Sequence, residues 1–470
     1  MTIQKNQKTD PSTTPTEQSA NAHIDTAAPH SVLDTSKRTL IRASSAAAVV
    51  GAASPFFWMK DASAQWNNTV EKGAKLRVLR WKRFVQGDMD AYMSNVQKFT
   101  EKTGIEVRVD TEGWEDVRPK AAVAANTGAG PDIILGTNDD ANLYPDKLLD
   151  VTDLCEYLGK KYGGWYKSCE AYLKPDGKHW IGTPLGATGS IMVYRESHLK
   201  AAGFNTFPKD TDGFLKMFKA LKEKGTPGGL ALGNATGDSG WTHWLIWAFG
   251  GSIVDKNNRV TIDSPETLKA LEYAKELYQT FVPGTLSWLD PNNNKAFLDG
   301  QISATNNGIS IYYAAKNSTD PKVKEMAADI NHSVMPIGPV GVPTEYHLFF
   351  NQMIMKYTKY PKAAKEFIRF MMEKDQYDPW LLGAGGYISQ PLKDYESNSV
   401  WTMDPKHMPY RDSVKNLRPA GYAGKLGYAS AGALADFIVP NMVAEAASGA
   451  KTPKEAAERA QKRAERYYNV

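Results

Sequence analysis

The sequence predicts an α/β protein of two lobes, on three observations. Strand and helix patterns alternate from residue 75 to residue 135, the same kind of pattern restarts near Gly182, and 470 residues are too many for one core. A hydrophobic content of 42% with 23% charged residues is that of a globular chain. Lys plus Arg exceed Asp plus Glu by only 56 to 52 and form no basic block, so nucleic acid is not expected as a partner.

Residues 1–36 are polar, turn-forming and without hydrophobic period, which reads as disorder. Ser36-Lys37-Arg38-Thr39-Leu40-Ile41-Arg42 then precedes an uncharged stretch from Ala43 to Met59 and the small-residue site Ala62-Ser63-Ala64. This is the layout of an export signal cleaved near Ala64, leaving about 406 residues from Gln65 onward in the periplasm. Lys37 stands where a twin-arginine signal has its first Arg, so the route is Tat-like or Sec. The 17 uncharged residues, with Gly51 and Pro55 among them, are short and weakly apolar for a membrane span.

In the exported part, Leu76-Arg77-Val78-Leu79-Arg80 alternates as a first strand. A helix follows from Asp90 to Thr103 and stops at Gly104. Ile105 to Val109 is the second strand, Ala121 to Asn126 a helix, and Asp132-Ile133-Ile134-Leu135 a short buried strand of the parallel kind. An open lobe of this type binds ligands beyond the carboxyl ends of its strands. That rule selects Trp81-Lys82-Arg83, Glu112-Gly113-Trp114 and Thr137-Asn138-Asp139-Asp140.

The second lobe opens with the strand Ser190 to Tyr194, followed by helices near Thr211–Lys224, Gly240–Gly250 and Pro265–Tyr278. The last of these is capped by Asp263 or Ser264 with Pro265 at its first position. Helices at Pro361–Glu373, Ala433–Ala447 and Pro453–Tyr468 close the chain.

Catalytic and cofactor signatures are missing: no P-loop, no His-Glu-x-x-His, no Cys-x-x-Cys pair and no complete dinucleotide fingerprint. The eight histidines have no metal-ligand spacing, so neither a metal nor a cofactor is expected. Gly237-Asp238-Ser239-Gly240 reads as a turn in which Asp238 or Ser239 caps the next helix. Trp241, Trp244 and Trp247 form one helix stripe, for which packing is the default. The 12 Trp and 22 Tyr are more suggestive, because aromatic faces stack on sugar rings while polar neighbours bond the hydroxyls. Cys155 and Cys169 are close enough in sequence for one local disulfide in an oxidising compartment, with a stabilisation of roughly 3 kcal/mol.

Five segments together carry a family resemblance. They are Gly130-Pro131-Asp132-Ile133-Ile134 running into Leu148-Leu149-Asp150-Val151-Thr152; Gly182-Thr183-Pro184 before Met192-Val193-Tyr194-Arg195; Ala296-Phe297-Leu298-Asp299-Gly300-Gln301-Ile302-Ser303-Ala304 followed by Asn306-Asn307-Gly308; Tyr360-Pro361-Lys362-Ala363-Ala364-Lys365-Glu366-Phe367-Ile368; and Gly385-Gly386-Tyr387-Ile388-Ser389. In this order, behind an export signal, the chain resembles a family 1 extracellular solute-binding protein, the maltose-binding-protein-like subunit of an ABC importer. The resemblance implies the type II periplasmic binding fold, with a ligand cleft between lobes joined by hinge crossings near Thr183–Gly186, Pro343–His347 and Tyr387–Leu392. Lobe 1 is then 65–184 with 345–386, and lobe 2 is 185–344 with 387–470. It further implies a monomer that captures a sugar, oligosaccharide or polyol, performs no covalent chemistry and delivers its ligand to membrane permease subunits.

Residue by residue, the resemblance places Asp139 on sugar hydroxyls, Asn307 and Gly308 in a loop lining the cleft, and Tyr387 at the third crossing, facing the ligand. Maltodextrin binders have stacking tryptophans where this chain has Gly136 and Ser310, which disfavours a long glucan. Trp81, Trp241 and Tyr312 are the candidate replacement platforms. The glycerol-phosphate branch clamps its anion with an arginine downstream of the Gly-Gly-Tyr segment, where Arg411 or Arg418 stands, and Arg83 is placed to serve an anionic sugar. An anionic solute therefore remains the alternative ligand, and a periplasmic carbohydrate-active enzyme using Asp139 and Asp140 the alternative class.

Overall fold

The computed structural model describes residues 66–469, so the export segment near Ala64 lies outside the described residues. Within them, eight strands build two sheets: β1 (Lys75–Trp81), β2 (Glu106–Glu112), β3 (Ile133–Thr137), β4 (Thr183–Thr188), β5 (Ile191–Arg195), β6 (Ala304–Asn307), β7 (Ile330–Ser333) and β8 (Leu348–Ile354). The first three pair in parallel, as their strand–helix alternation requires, with Lys75 opposite Glu106 and Val78 opposite Ile133. β8 then returns antiparallel to β3, and β4 antiparallel to β8, giving the order β2-β1-β3-β8-β4. The second sheet is antiparallel, in the order β6-β5-β7.

Strand parity distributes β5 between two cores. Ile191 and Val193 join the larger core, built on the five-stranded sheet and the helices Gln86–Thr103 and Pro361–Met372. Met192 and Tyr194 point the other way, into the core of the helices Thr211–Glu223, Trp241–Ala248, Pro265–Tyr278, Ile438–Ser448 and Pro453–Tyr468.

Helix boundaries follow local chemistry. Asp210 accepts from the Gly213 N–H at 2.7 Å, and Ser264 from the Thr267 N–H at 3.2 Å, so of the two caps open at 263 and 264 it is Ser264 that acts. Thr452 and Glu455 form a reciprocal capping box ahead of Pro453.

Three expectations are corrected. The helix expected over Ala121–Asn126 begins at Trp114, with Pro119 inside it, because Gly113 supplies an extended start directly after β2. The single helix expected from Ala433 to Ala447 is two, Tyr428–Ala435 and Ile438–Ser448, broken by the left-handed Phe437 at φ 50°.

Tyr387, Ile388 and Leu392 join the larger core, which also takes in Phe297, Ile309 and Ile330, and Ser389 bridges Ala187 in β4. Further on, the Arg418 N–H reaches the Glu345 carbonyl at 3.0 Å. The third correction is the disulfide: Cys155 and Cys169 are both buried free thiols. The Cys155 sulfur faces the Gly182 carbonyl and the Thr183 hydroxyl, both at 3.7 Å, whereas the Cys169 sulfur faces the Pro391 carbonyl at 3.9 Å. Proximity in sequence does not aim two sulfurs at each other.

Among the described residues no helix is long and apolar enough to cross a membrane.

Candidate functional site

A narrow cleft enclosing about 30 Å³ is lined from both sheets and from the segment after Gly386. Phe84 and Trp114 stand just beyond the carboxyl ends of β1 and β2, where an open α/β sheet leaves its ligand crevice. Trp114 lies nearly parallel to Phe350 at 5.4 Å and to Phe84 at 6.3 Å between centroids, and Phe84 continues the wall to Tyr387 at 6.4 Å. These rings form one apolar face of the cleft.

The opposing face is polar. Asp290 opens the helix Asp290–Leu298, and its carboxylate accepts the backbone N–H groups of Gly237 at 2.9 Å, Asp238 at 2.8 Å and Thr236 at 3.0 Å. The loop is thereby wrapped around Asp290 and presents Asp238 to the cleft. Burial raises the Asp290 carboxyl to about 6, with the charge of Glu115 adding to the rise and the three N–H groups opposing it. Asp238 rises well above the ordinary carboxylate range, first through burial and then through the Asp290 charge beside it.

Beyond β6, Asn307 and Ser310 share a hydroxyl–amide bond at 3.2 Å, and Asn307 also donates to the Asn294 side chain. Gly308 is required between them: a Cβ there would come 2.7 Å from the Thr188 hydroxyl. That hydroxyl is buried and without a partner in the protein, and it lines the cleft. Ser190, between β4 and β5, completes the wall and donates its N–H to Nδ1 of His347 at 3.0 Å. One apolar aromatic face opposite hydroxyl, amide and carboxylate groups can stack a ring-shaped polar solute and read its substituents.

Residues 95–409 match the family model for the bacterial extracellular solute-binding protein. The chain belongs to this family. Among curated relatives, this solute-binding protein is 23% identical over 318 residues to YcjN of Escherichia coli strain K12, named for an ABC transporter periplasmic-binding role; the match covers 64% of this chain and 69% of YcjN. Its fold is that of the two-lobed maltose-binding type. Maltose-bound MalE3 of Thermotoga maritima superposes with a TM-score of 0.72 at 18% identity, over 83% of this chain and 99% of MalE3. A solute-binding protein of Agrobacterium radiobacter K84 in complex with ribitol gives 0.70 at 18% identity, over 84% of this chain and 98% of that one.

The structure brings Asn307, Gly308 and Tyr387 together on the cleft and places the other sequence-selected residues elsewhere. Trp81 is fully buried, stacked behind Trp114 at 4.8 Å. Trp241 is a core residue whose indole donates to the Ala231 carbonyl at 2.7 Å. Tyr312 is turned away, its hydroxyl on Asp404 at 2.6 Å. Arg83 is exposed next to Phe84. Arg418 lies over the Tyr422 ring at 4.3 Å and the Trp247 ring at 5.7 Å, off the cleft lining.

Asp139 is buried in the turn after β3, off this cavity. One of its oxygens accepts the Ser430 hydroxyl at 2.8 Å while the other has no partner in the protein, and burial raises its carboxyl to about 7. Asp140 pairs with Arg118 at 2.6 Å and accepts the Thr137 N–H at 2.8 Å, which commits it to holding this turn.

Two of the residues that sequence reasoning missed had partial signals. Trp114 was one of the strand-end residues. Asp238 was read as a helix-capping turn residue, but Gly240 takes the cap position without any side-chain bond. Asp290 carried no signal, since its partners lie 52 to 54 positions away.

Proposed function

We propose that this protein is the exported, substrate-capturing subunit of an ABC importer, and that it binds a small sugar or polyol in the cleft and hands it to membrane permease subunits. The observation that carries this reading is the pairing of the Phe84–Trp114–Tyr387 wall with Asp238, Asn307, Ser310 and Thr188 across one cavity. Maltose and ribitol in the structurally similar proteins support the same ligand class.

Closure follows from linkage. A ligand touched by both walls favours the state in which both reach it, and that differential affinity is what a permease can read. Nothing in this requires bond cleavage: Asp140 is paired with Arg118, and Asp290 is held by three backbone donors. An anionic solute is the weaker reading, because the residues lining the cleft include no Lys, Arg or His. The export signal places the mature protein in the periplasm, reached by the Tat-like or Sec route, and the chain acts as a monomer.

The test is a thermal-shift screen of the chain from Gln65 onward against monosaccharides, disaccharides, polyols and glycerol 3-phosphate. A rise in melting temperature with one neutral or amino sugar or polyol, with the compound recovered unchanged, is the expected result. A rise confined to glycerol 3-phosphate, or turnover of a sugar, would overturn it.

A further inference from the structure

The charge of the cleft narrows its ligand. Resting on the sugar-binding reading above, we infer that the site is built for a sugar carrying a protonated amine, which the Asp238 carboxylate and the faces of Trp114, Phe84 and Tyr387 hold together.

Three features converge on that chemistry. The charged residues lining the cleft are Asp238 and Asp290, with no cationic side chain beside them. The Asp290 carboxylate is met by three backbone N–H groups, but Asp238 has no ion pair and is offered only a side-chain hydrogen bond from Asn293. The charges acting on Asp238, those of Asp290 and Glu115, are both negative, and those acting on the Tyr387 hydroxyl are Asp88, Asp290 and Asp238. The buried guanidinium of Arg80 does not relieve this, since it is engaged with Asp88 at 2.5 Å.

The aromatic wall adds to the same field. An indole, a benzene and a phenol ring present their electron-rich faces, which attract a cation within about 6 Å. A neutral sugar stacks on such rings equally well but brings no opposite charge to the neighbouring Asp238 and Asp290 carboxyl groups. An ammonium on the ring supplies the missing charge and three donors, for Asp238 and for the partnerless Thr188 hydroxyl. In the empty cleft, burial and the Asp290 charge favour a protonated Asp238. Capture of an ammonium therefore expels that proton to solvent, while the amine keeps its own.

The experiment is calorimetric titration of the chain from Gln65 onward with matched compounds: glucose and glucosamine, galactose and galactosamine, cellobiose and its diamino counterpart, and the N-acetyl forms as uncharged controls. In the pair that binds, the amine is expected to bind at least tenfold tighter than its neutral parent at pH 7, with net proton release between buffers of different ionisation enthalpy and with affinity falling as salt rises. In Asp238→Asn the ratio between amine and parent collapses toward one.

Equal or tighter binding of the neutral parent, without proton release from the native protein, overturns the charge inference and leaves the sugar-binding reading standing. Binding of none of the pairs overturns the charge inference, and absence of any shift in the wider screen of saccharides and polyols overturns the sugar-binding reading as well.

Discussion

The Nδ1 of His347 accepts the backbone N–H of Ser190 at 3.0 Å, while Nε2 of the same ring donates to Glu345 at 2.8 Å. The pattern of bonds assigns the tautomer, with the proton on Nε2. Glu345 also accepts from the Asn416 amide at 3.2 Å, and its backbone carbonyl takes the Arg418 N–H. The imidazole and Glu345 thus link the β4–β5 step at Ser190, the approach to β8 and the segment after Leu417. Ser190 also lines the cleft, so the clasp fixes one residue of the cavity wall.

Removing that ring leaves the buried Ser190 N–H without a partner and the largely buried Glu345 carboxylate with only the Asn416 amide. His347→Ala is expected to lower unfolding free energy by about 1–3 kcal/mol, read from urea denaturation, and to weaken binding of the ligand identified by thermal shift. Glu345→Gln keeps an acceptor for the ring and is expected to be milder. Wild-type stability in His347→Ala would show that the clasp adds nothing to the stability of the fold.

Asp139 gives stability a pH dependence whose sign can be worked out. Its carboxyl titrates near 7 in the folded protein, above its ordinary value of 3.8, because burial outweighs the bond from Ser430. Between those values the folded state keeps a proton that the unfolded chain has lost, so this group's contribution to stability falls as pH rises from about 4 to about 7 and is level above that. Asp139→Asn removes the titration. The variant is expected to gain on the parent by a few kcal/mol between pH 4 and pH 8, measured as the difference between paired melting curves. A constant difference across that range would show that the site does not titrate there.

Much of the frame was legible because its signals are local. Leu76 to Arg80 alternates, Gly104 and Gly128 end helices in left-handed geometry, and Thr452 with Glu455 announces Pro453–Tyr468. The site was less legible because register and distant backbone bonds decide it. Trp81 and Trp114 both stand at strand ends and stack on each other at 4.8 Å, yet only Trp114 reaches the cavity. Trp81 is the last paired residue of β1, opposite Glu112, and its ring falls on the core side of the sheet. Trp241 begins a helix in which all eight residues are buried, so its stripe carried no information about facing. Asp238 owes its position to Asp290, a contact that spacing cannot encode.

Phe84 tests the aromatic wall with little damage to the core, since it is only half-buried, whereas Trp114 packs on Trp81 and Phe350. Phe84→Ala removes a stacking face worth about 1.5–3 kcal/mol when fully covered, so ligand affinity is expected to fall roughly 10- to 100-fold. Titration of variant and parent with the same ligand reads this directly. An unchanged affinity would place the ligand away from this wall.

The two thiols provide a check on the lower part of the larger core. Burial pushes both Cys155 and Cys169 well above the usual thiol range, so neither forms the reactive thiolate in the native protein. A thiol reagent is expected to count none in the folded chain and two after denaturation, with or without prior reduction. Reductant is likewise expected to leave the melting temperature unchanged, because there is no cross-link to open. Two thiols appearing only after reduction of the unfolded protein would mean that the sulfurs had swung from Thr183 and Pro391 toward each other, and that the helices Thr152–Lys161 and Lys167–Leu173 are packed differently from the arrangement described above.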